Sequence, residues 1–386
     1  MSAETIYLDN NATTTVAPEV IDAMMPFFGD RYGNPSSIHS FGGLVRRNVD
    51  HAREQVANLL NAKPSQIYFT GGGSESDNLA LQGFYGRCGN QTKIITSKVE
   101  HHAVLITARF LGKKGATVVE LGVDEKGTLD EEELRSQDLD DETIVSIMWA
   151  NNETGVVFPL EAITEVAKAK GAYVHTDAVQ AVGKIPIDLN RTPIDFLALS
   201  GHKLHAPKGI GAIFIRDSTD LEPLILGGHQ EGGVRAGTEN VPGIVGLGKA
   251  CEIAKNTMQE EIALVRVLRD KLERGLLATC TGAILNGDPI HRLPNTTNIS
   301  FEFIEGESIL LLLNEHGICA SSGSACTTGS LEPSHVLRAM NVPYTRAHSA
   351  TRFSLSRYTT EQEIDKVLSV MPQIVERLRA LSPYVK

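Results

Sequence analysis

The stretch SGHKLHAPKG, residues 200–209, places Lys203 in a polar turn directly after the apolar run FLALS. Open α/β sheets bind ligands at the carboxyl ends of their strands. A lysine held there, in a site dry enough to lower its pKa, is suited to Schiff-base chemistry. Ser200 and His202 share the turn, and 26 residues upstream Asp177 ends the run AYVHT, with Gln180 three positions on. An aspartate against a pyridinium nitrogen keeps that ring electron-withdrawing, while a lysine can hold the ring's aldehyde. Taken singly, a lysine in a polar turn is a surface residue and an aspartate after a strand is a helix cap. The pairing carries the inference.

Other turns point the same way. TGGGSESDN, 70–78, leads from a β-rich run into a helical one, and the backbone N–H groups of Gly72, Gly73 and Ser74 there can cradle a phosphate. After KIITS, His101 or His102 offers a ring face for stacking or a nitrogen for proton transfer. ANNETG presents two asparagine amides, Asn151 and Asn152, and Arg352 in TRFSLSRY can clamp a carboxylate bidentately. Cys326 sits in SSGSACTTGS, a run of small residues unsuited to burying a thiol.

The elements that must position these groups are legible. QIYFT, KIITS, TVVEL, TIVSIMW, AYVHT, FLALS and GAIFI read as seven strands, alternating with amphipathic stretches such as AVLITARFLGKKG and LEAITEVAKAKG. That alternation predicts a mostly parallel seven-stranded sheet covered on both faces. After about residue 243 the pattern changes to one long helical stretch, then strands near TTNISFEF and TRFSLS with helices near GESILLLL and TTEQEID, the pattern of a smaller α+β unit. No internal repeat or low-complexity segment interrupts the chain.

Composition narrows the function. The 386 residues carry a net charge of −11 without a sustained basic block, which argues against general nucleic-acid binding. Five cysteines with no C-x-x-C spacing fit neither a disulfide framework nor a structural zinc site, and they suggest a reducing cytosol. No signal peptide and no run of 18 apolar residues is evident, so no membrane association is expected.

The series YLDNNATT, GNPSS, GGGSESDN, EHHAV, NNETG, HTDAVQ, SGHKLHAPKG, RAGTEN, SSGSACTTGSLEPSHVLRAM and RFSLSRYTTEQEID resembles, in order from about residue 6 to 370, the motifs of pyridoxal-phosphate cysteine desulfurases, the NifS type above all. The resemblance implies the type I fold of pyridoxal-phosphate enzymes and a homodimer. It implies a large cofactor domain over 15–255, and a small domain from 1–14 and 256–386 with a mobile cysteine loop at about 321–332.

It further implies Lys203 as the cofactor lysine, Asp177 at the pyridinium nitrogen, Gln180 and Asn152 at the 3-hydroxyl side, and His101 over the ring. Gly73, Ser74, Ser200 and His202 would bind phosphate, joined by Thr238 of the partner subunit. Asn34 and Arg352 would hold the substrate carboxylate, and Cys326 would accept sulfur from L-cysteine, leaving L-alanine. The sulfur would go to an iron–sulfur scaffold protein, for nitrogenase maturation or housekeeping assembly. No resident metal is implied, though Cys326 could ligate a cluster transiently with the scaffold. A selenocysteine lyase, an aminotransferase and a non-catalytic iron–sulfur carrier using Cys319 and Cys326 remain alternatives. One departure stands out: Gly232 occupies the position where the family's Q-E-R-G-x-R-x-G-T has its first arginine, while Arg235 is retained. Ser74 also replaces a common threonine.

Overall fold

The computed structural model describes residues 5–217, 220–322 and 332–383. Cys326, with most of the segment expected to form a mobile loop, lies outside the described residues. The strands are β1 (Ile6–Tyr7), β2 (Ile67–Thr70), β3 (Lys93–Ser97), β4 (Thr117–Leu121), β5 (Thr143–Ser146), β6 (Tyr173–Asp177), β7 (Phe196–Ser200), β8 (Gly211–Ile215), β9 (Ala283–Asn286), β10 (Thr296–Phe301), β11 (Ile318–Cys319) and β12 (Ala350–Ser354).

The expected seven-stranded sheet is present, in the order β2-β8-β7-β6-β5-β3-β4. Only β8 runs against its neighbours. Because β8 is antiparallel to both β2 and β7, those two remain parallel to each other, and all six other strands end at one edge. β5 stops at Ser146, short of the expected Trp149. The backbone nonetheless stays beside β6, since Trp149 N donates to Asp177 O at 2.9 Å.

The period-2 alternation of side chains explains how both faces are covered. Ile95, Val145, Leu197, Leu199 and Phe214 belong to one apolar core, with the helices Ser40–Leu60, Leu160–Ala169 and the first half of Val241–Thr279. Ile94, Ile144, Phe196 and Ile213 point the other way, against the helices Gly73–Cys88 and His102–Lys113.

A further core lies around the antiparallel sheet β12-β10-β9 and the parallel pair β1-β11. Its side chains include Leu272 and Leu276 from the long helix, Phe301, Phe353, and Ile364 to Val375 from the helix Glu361–Leu381. That last helix starts at a capping box between Thr360 and Glu363, read in the sequence as TTEQEID. The strands β1, β9 and β11 have no counterpart in the periodicity. The two residues of β1 and of β11, and the four of β9, carry too little pattern to be seen. Among the described residues no helix is long and apolar enough to cross a membrane.

Leu272 is fully buried in the core around β10. Leu272→Ala therefore lowers unfolding stability by about 2–5 kcal/mol, measured by chemical denaturation.

Candidate active site

The edge where six strands end holds a cavity of about 330 Å³. Its lining includes Gly73 and Ser74 after β2, His101 after β3, Asn152 after β5, Asp177 and Gln180 at the end of β6, and Ser200, His202 and Lys203 after β7. Arg352 reaches it from β12. Ten of the residues singled out in the sequence thus share one cavity. Asn34 and Thr238 do not line it, and both are exposed. His102 is turned away, stacked on His335 at 4.7 Å between ring centroids.

Lys203 Nζ donates to the backbone carbonyls of Asn11 at 2.6 Å and Ala12 at 2.7 Å. Gln180 Nε2 donates to the same Asn11 carbonyl at 2.9 Å. Lys184, one helical turn beyond Gln180 in sequence, donates to Gln180 Oε1 at 2.6 Å and to Asn11 Oδ1 at 3.3 Å. Burial, with Lys203 and Arg352 nearby, holds the Lys184 ammonium well below the usual lysine range. The N-terminal arm is therefore a wall of the site. Asn11, Ala12, Asp77 and Lys184 were not among the residues singled out for chemistry, although DNNATT, a polar run at the start of the chain, was the available signal.

Asp177 is buried, and Val179 N donates to its Oδ1 at 2.9 Å. Burial raises its pKa, against the opposing pull of His101 and Lys203. His101 caps the following helix: its Nδ1 accepts from Ala103 N at 3.1 Å. In the neutral ring this assigns the proton to Nε2. Burial and the neighbouring lysines push His202 down to about 4, so it is neutral at pH 7. Its Nδ1 lies 3.2 Å from Thr13 Oγ1.

The helix Gly73–Cys88 begins with no side-chain cap. Glu75 shapes the turn before it, accepting from Gly71 N at 2.9 Å and from Arg235 Nε at 2.9 Å. Glycine is required where this turn meets its neighbours. A Cβ on Gly73 would lie 2.5 Å from Val179 Cγ2, and one on Gly211 would lie 2.7 Å from Gly72 Cα. A second cavity of about 470 Å³ opens at the same turn, lined in part by Ser200, His202 and Lys208. A helix N-terminus with hydroxyl and imidazole groups at one end, a buried carboxyl and a lysine elsewhere, and Met148, Ala150 and Val179 as apolar wall fit a flat phosphorylated pyridine aldehyde.

Arg352 is almost fully buried and already oriented: its guanidinium donates to Asp9 at 2.6 Å and to the Asn152 carbonyl at 2.9 Å. Around the sequence departure, Glu231, Gly232 and Gly233 all have positive φ, of 46°, 64° and 87°. Glu231 takes both guanidinium nitrogens of Arg53 at 2.7 Å and the Phe69 N–H at 2.8 Å. Gly232 thus gives the left-handed backbone that brings Glu231 to Arg53.

The aminotransferase class-V family model matches residues 6–367. A protein named cysteine desulfurase NifS, from Azotobacter vinelandii, is 56% identical over 380 residues, spanning 98% of this chain and 94% of that one. Among solved structures, a NifS-like protein superposes with a TM-score of 0.91 at 40% identity, covering 97% of this chain and all of the other. A structure described as SspA in complex with cysteine superposes with a TM-score of 0.80 at 36% identity, covering 92% of this chain and all of that one.

Beneath the cavity, burial pushes the Glu100 carboxyl up to about 8, although Ser97 Oγ and Met148 N both donate to it. A carboxyl raised in the folded state contributes stability below its unfolded pKa, and that contribution is lost as pH rises to the folded value. Relative to Glu100→Gln, the wild type loses stability between about pH 4.5 and about pH 8, by at most ~1.4 kcal/mol per pH unit. Denaturant unfolding across that range measures the slope.

Proposed function

The chain belongs to the aminotransferase class-V family, and on that premise we propose that it is a pyridoxal-phosphate-dependent cysteine desulfurase that takes sulfur from L-cysteine, leaves L-alanine and carries a persulfide on Cys326. The observation that carries the reading is Lys203, Asp177 and the glycine-led helix N-terminus on one cavity. A relative that shares 56% of aligned residues and bears the name cysteine desulfurase supports the activity, and the structure described with cysteine supports the substrate.

Pyridoxal phosphate, when bound, supplies an aldehyde for the substrate amine and a ring that draws electron density from the substrate's carbons. Lys203 would hold the aldehyde, and its Nζ, once free, would take the substrate α-proton. Asp177 would keep negative charge at the ring nitrogen. The Nε2–H of His101 would serve to move a proton. Gly73, Ser74, Ser200 and His202 would bind phosphate, with Thr238 of the partner subunit. Gln180 and Asn152 would serve the 3-hydroxyl side, while Arg352 and Asn34 would hold the substrate carboxylate. The Cys326 thiolate forms an S–S bond with the substrate sulfur as the substrate's C–S bond breaks. The electron pair left on carbon takes a proton, which gives alanine.

The exposure of Thr238 and Asn34, away from their own chain's cavity, supports a homodimer. Two apolar cores, met along one helix near Met258 and Val265, support a division into two domains near residue 255, with Leu293 and the 336–350 segment packing back into the core of the first. The sulfur passes to an iron–sulfur scaffold protein in the cytosol, and the NifS resemblance favours nitrogenase clusters as its destination.

Lys203→Ala abolishes alanine release from L-cysteine. Cys326→Ser still binds pyridoxal phosphate, read by its visible absorbance, and forms no persulfide by peptide mass. Pyruvate in place of alanine, or parental sulfur release by Cys326→Ser, overturns the assignment.

A further inference from the structure

Three carboxyls and one histidine are buried side by side at the floor of the cavity, and only Asp177 among them has a role in the reaction proposed above. Asp77 lies one turn into the helix Gly73–Cys88, below the glycine turn, and also lines the cavity. Its Oδ1 is 3.4 Å from His175 Nε2, with the two side chains 1% and 0% exposed. Neither of these atoms has a hydrogen-bond partner among the described residues. On the far side of the imidazole, His175 Nδ1 lies 2.8 Å from Ser146 Oγ. His175 and Asp177 are two apart in β6, so both point to the same face.

We propose that Asp77 is a positioning residue for Asp177: it is protonated, its proton faces the bare Nε2 of His175, and the cluster beneath the cavity thereby carries its one negative charge on Asp177.

The groups facing Asp77 are Asp177 and Glu100, both acidic, and the fully buried His175. The basic groups near Asp177 are His101 and Lys203. Three ionised carboxylates in so dry a space would repel one another without enough positive charge to compensate. Burial and the two acidic neighbours raise Asp77 well above the usual carboxylate range, and burial holds His175 down to about 3. The pair is therefore neutral, with the remaining imidazole proton on Nδ1 toward Ser146. Without the Asp77 proton, Nε2 of His175 loses the donor that fixes its tautomer. The ring stays neutral but its proton moves to Nε2, with Nδ1 accepting from Ser146, and that N–H competes with the cofactor's ring nitrogen for the charge on Asp177.

The inference rests on the proposed use of pyridoxal phosphate, and one set of measurements separates the two. Full-length protein labelled with 15N-histidine, compared with His175→Gln for assignment, reads the state of His175 at pH 7. The wild type gives the neutral Nδ1-protonated ring, and Asp77→Ala gives the neutral Nε2-protonated ring. Titration of the cofactor-free proteins with pyridoxal phosphate shows Asp77→Ala binding about tenfold more weakly. Asp77→Asn, whose amide N–H replaces the acid proton, recovers most of that loss.

Imidazolium at His175 in the wild type overturns the proposal. So does Asp77→Asn binding as weakly as Asp77→Ala while retaining wild-type circular dichroism, or Asp77→Ala binding as tightly as wild type. Should Asp77→Ala fail to fold, the wild-type spectrum and Asp77→Asn still decide. A wild type that binds no pyridoxal phosphate overturns the functional reading and this one with it.

Discussion

The backbone carbonyl of Asn11 accepts hydrogen bonds from both Lys203 Nζ and Gln180 Nε2, and the rest of the site is arranged around that junction. The Asn11 side chain extends it. Its amide donates to Thr296 Oγ1 at 2.9 Å and to the Asn152 carbonyl at 3.1 Å, while Asn295 donates to its Oδ1 at 3.1 Å. The N-terminal arm thereby touches the turn after β5, the turn after β7, and the start of β10. Removing it would take two carbonyl acceptors from the Lys203 ammonium and one from the Gln180 amide, and lost hydrogen bonds at buried polar groups are costly. The N-terminal arm is thus as much part of the site as the strand ends it crosses.

Charge is sorted around this junction. The acidic cluster of Asp77, Glu100 and Asp177 lies under the ends of β2, β3 and β6, whereas Lys184 and Lys203, from the segments after β6 and β7, and Arg352, from β12, gather toward the arm. Neither group is diluted by water, so each residue's protonation depends on its neighbours. Arg352 keeps Asp9 as a fixed partner, and Lys184 keeps two neutral amide oxygens. Such an arrangement gives a ligand with one anionic and one cationic end a single favourable orientation.

Much of this was legible from the sequence because strand-end chemistry is local. FLALS followed by SGHK, or IYFT followed by GGGS, puts the strand, the turn and the reactive group within ten residues, so Lys203, Asp177, Gly73 and Ser74 could be placed together by topology alone. Asn11 could not, since its partners lie 141 to 343 residues away and an asparagine run has no periodicity to betray them. Asp77 was hidden for another reason: in GGGSESDN it looks like one more acid in the first turns of a helix, and only burial against His175 sets it apart. TIVSIMW was read as one strand through Trp149. Its apolar run continues past the end of β5 because the following turn is itself buried beside β6.

The helix Val241–Thr279 has one further consequence. Its 39 residues span about 58 Å. Val241 to Met258 pack into the core of the seven-stranded sheet, and Val265 to Leu276 into the core around β10. One uninterrupted rod is therefore shared property of both halves. Melting either half would strip apolar side chains along part of a helix whose remainder is still held, so a half-folded chain exposes the stretch of the rod that belonged to the melted half. Folding is coupled across the molecule by this common beam, and each half draws rigidity from the other through it.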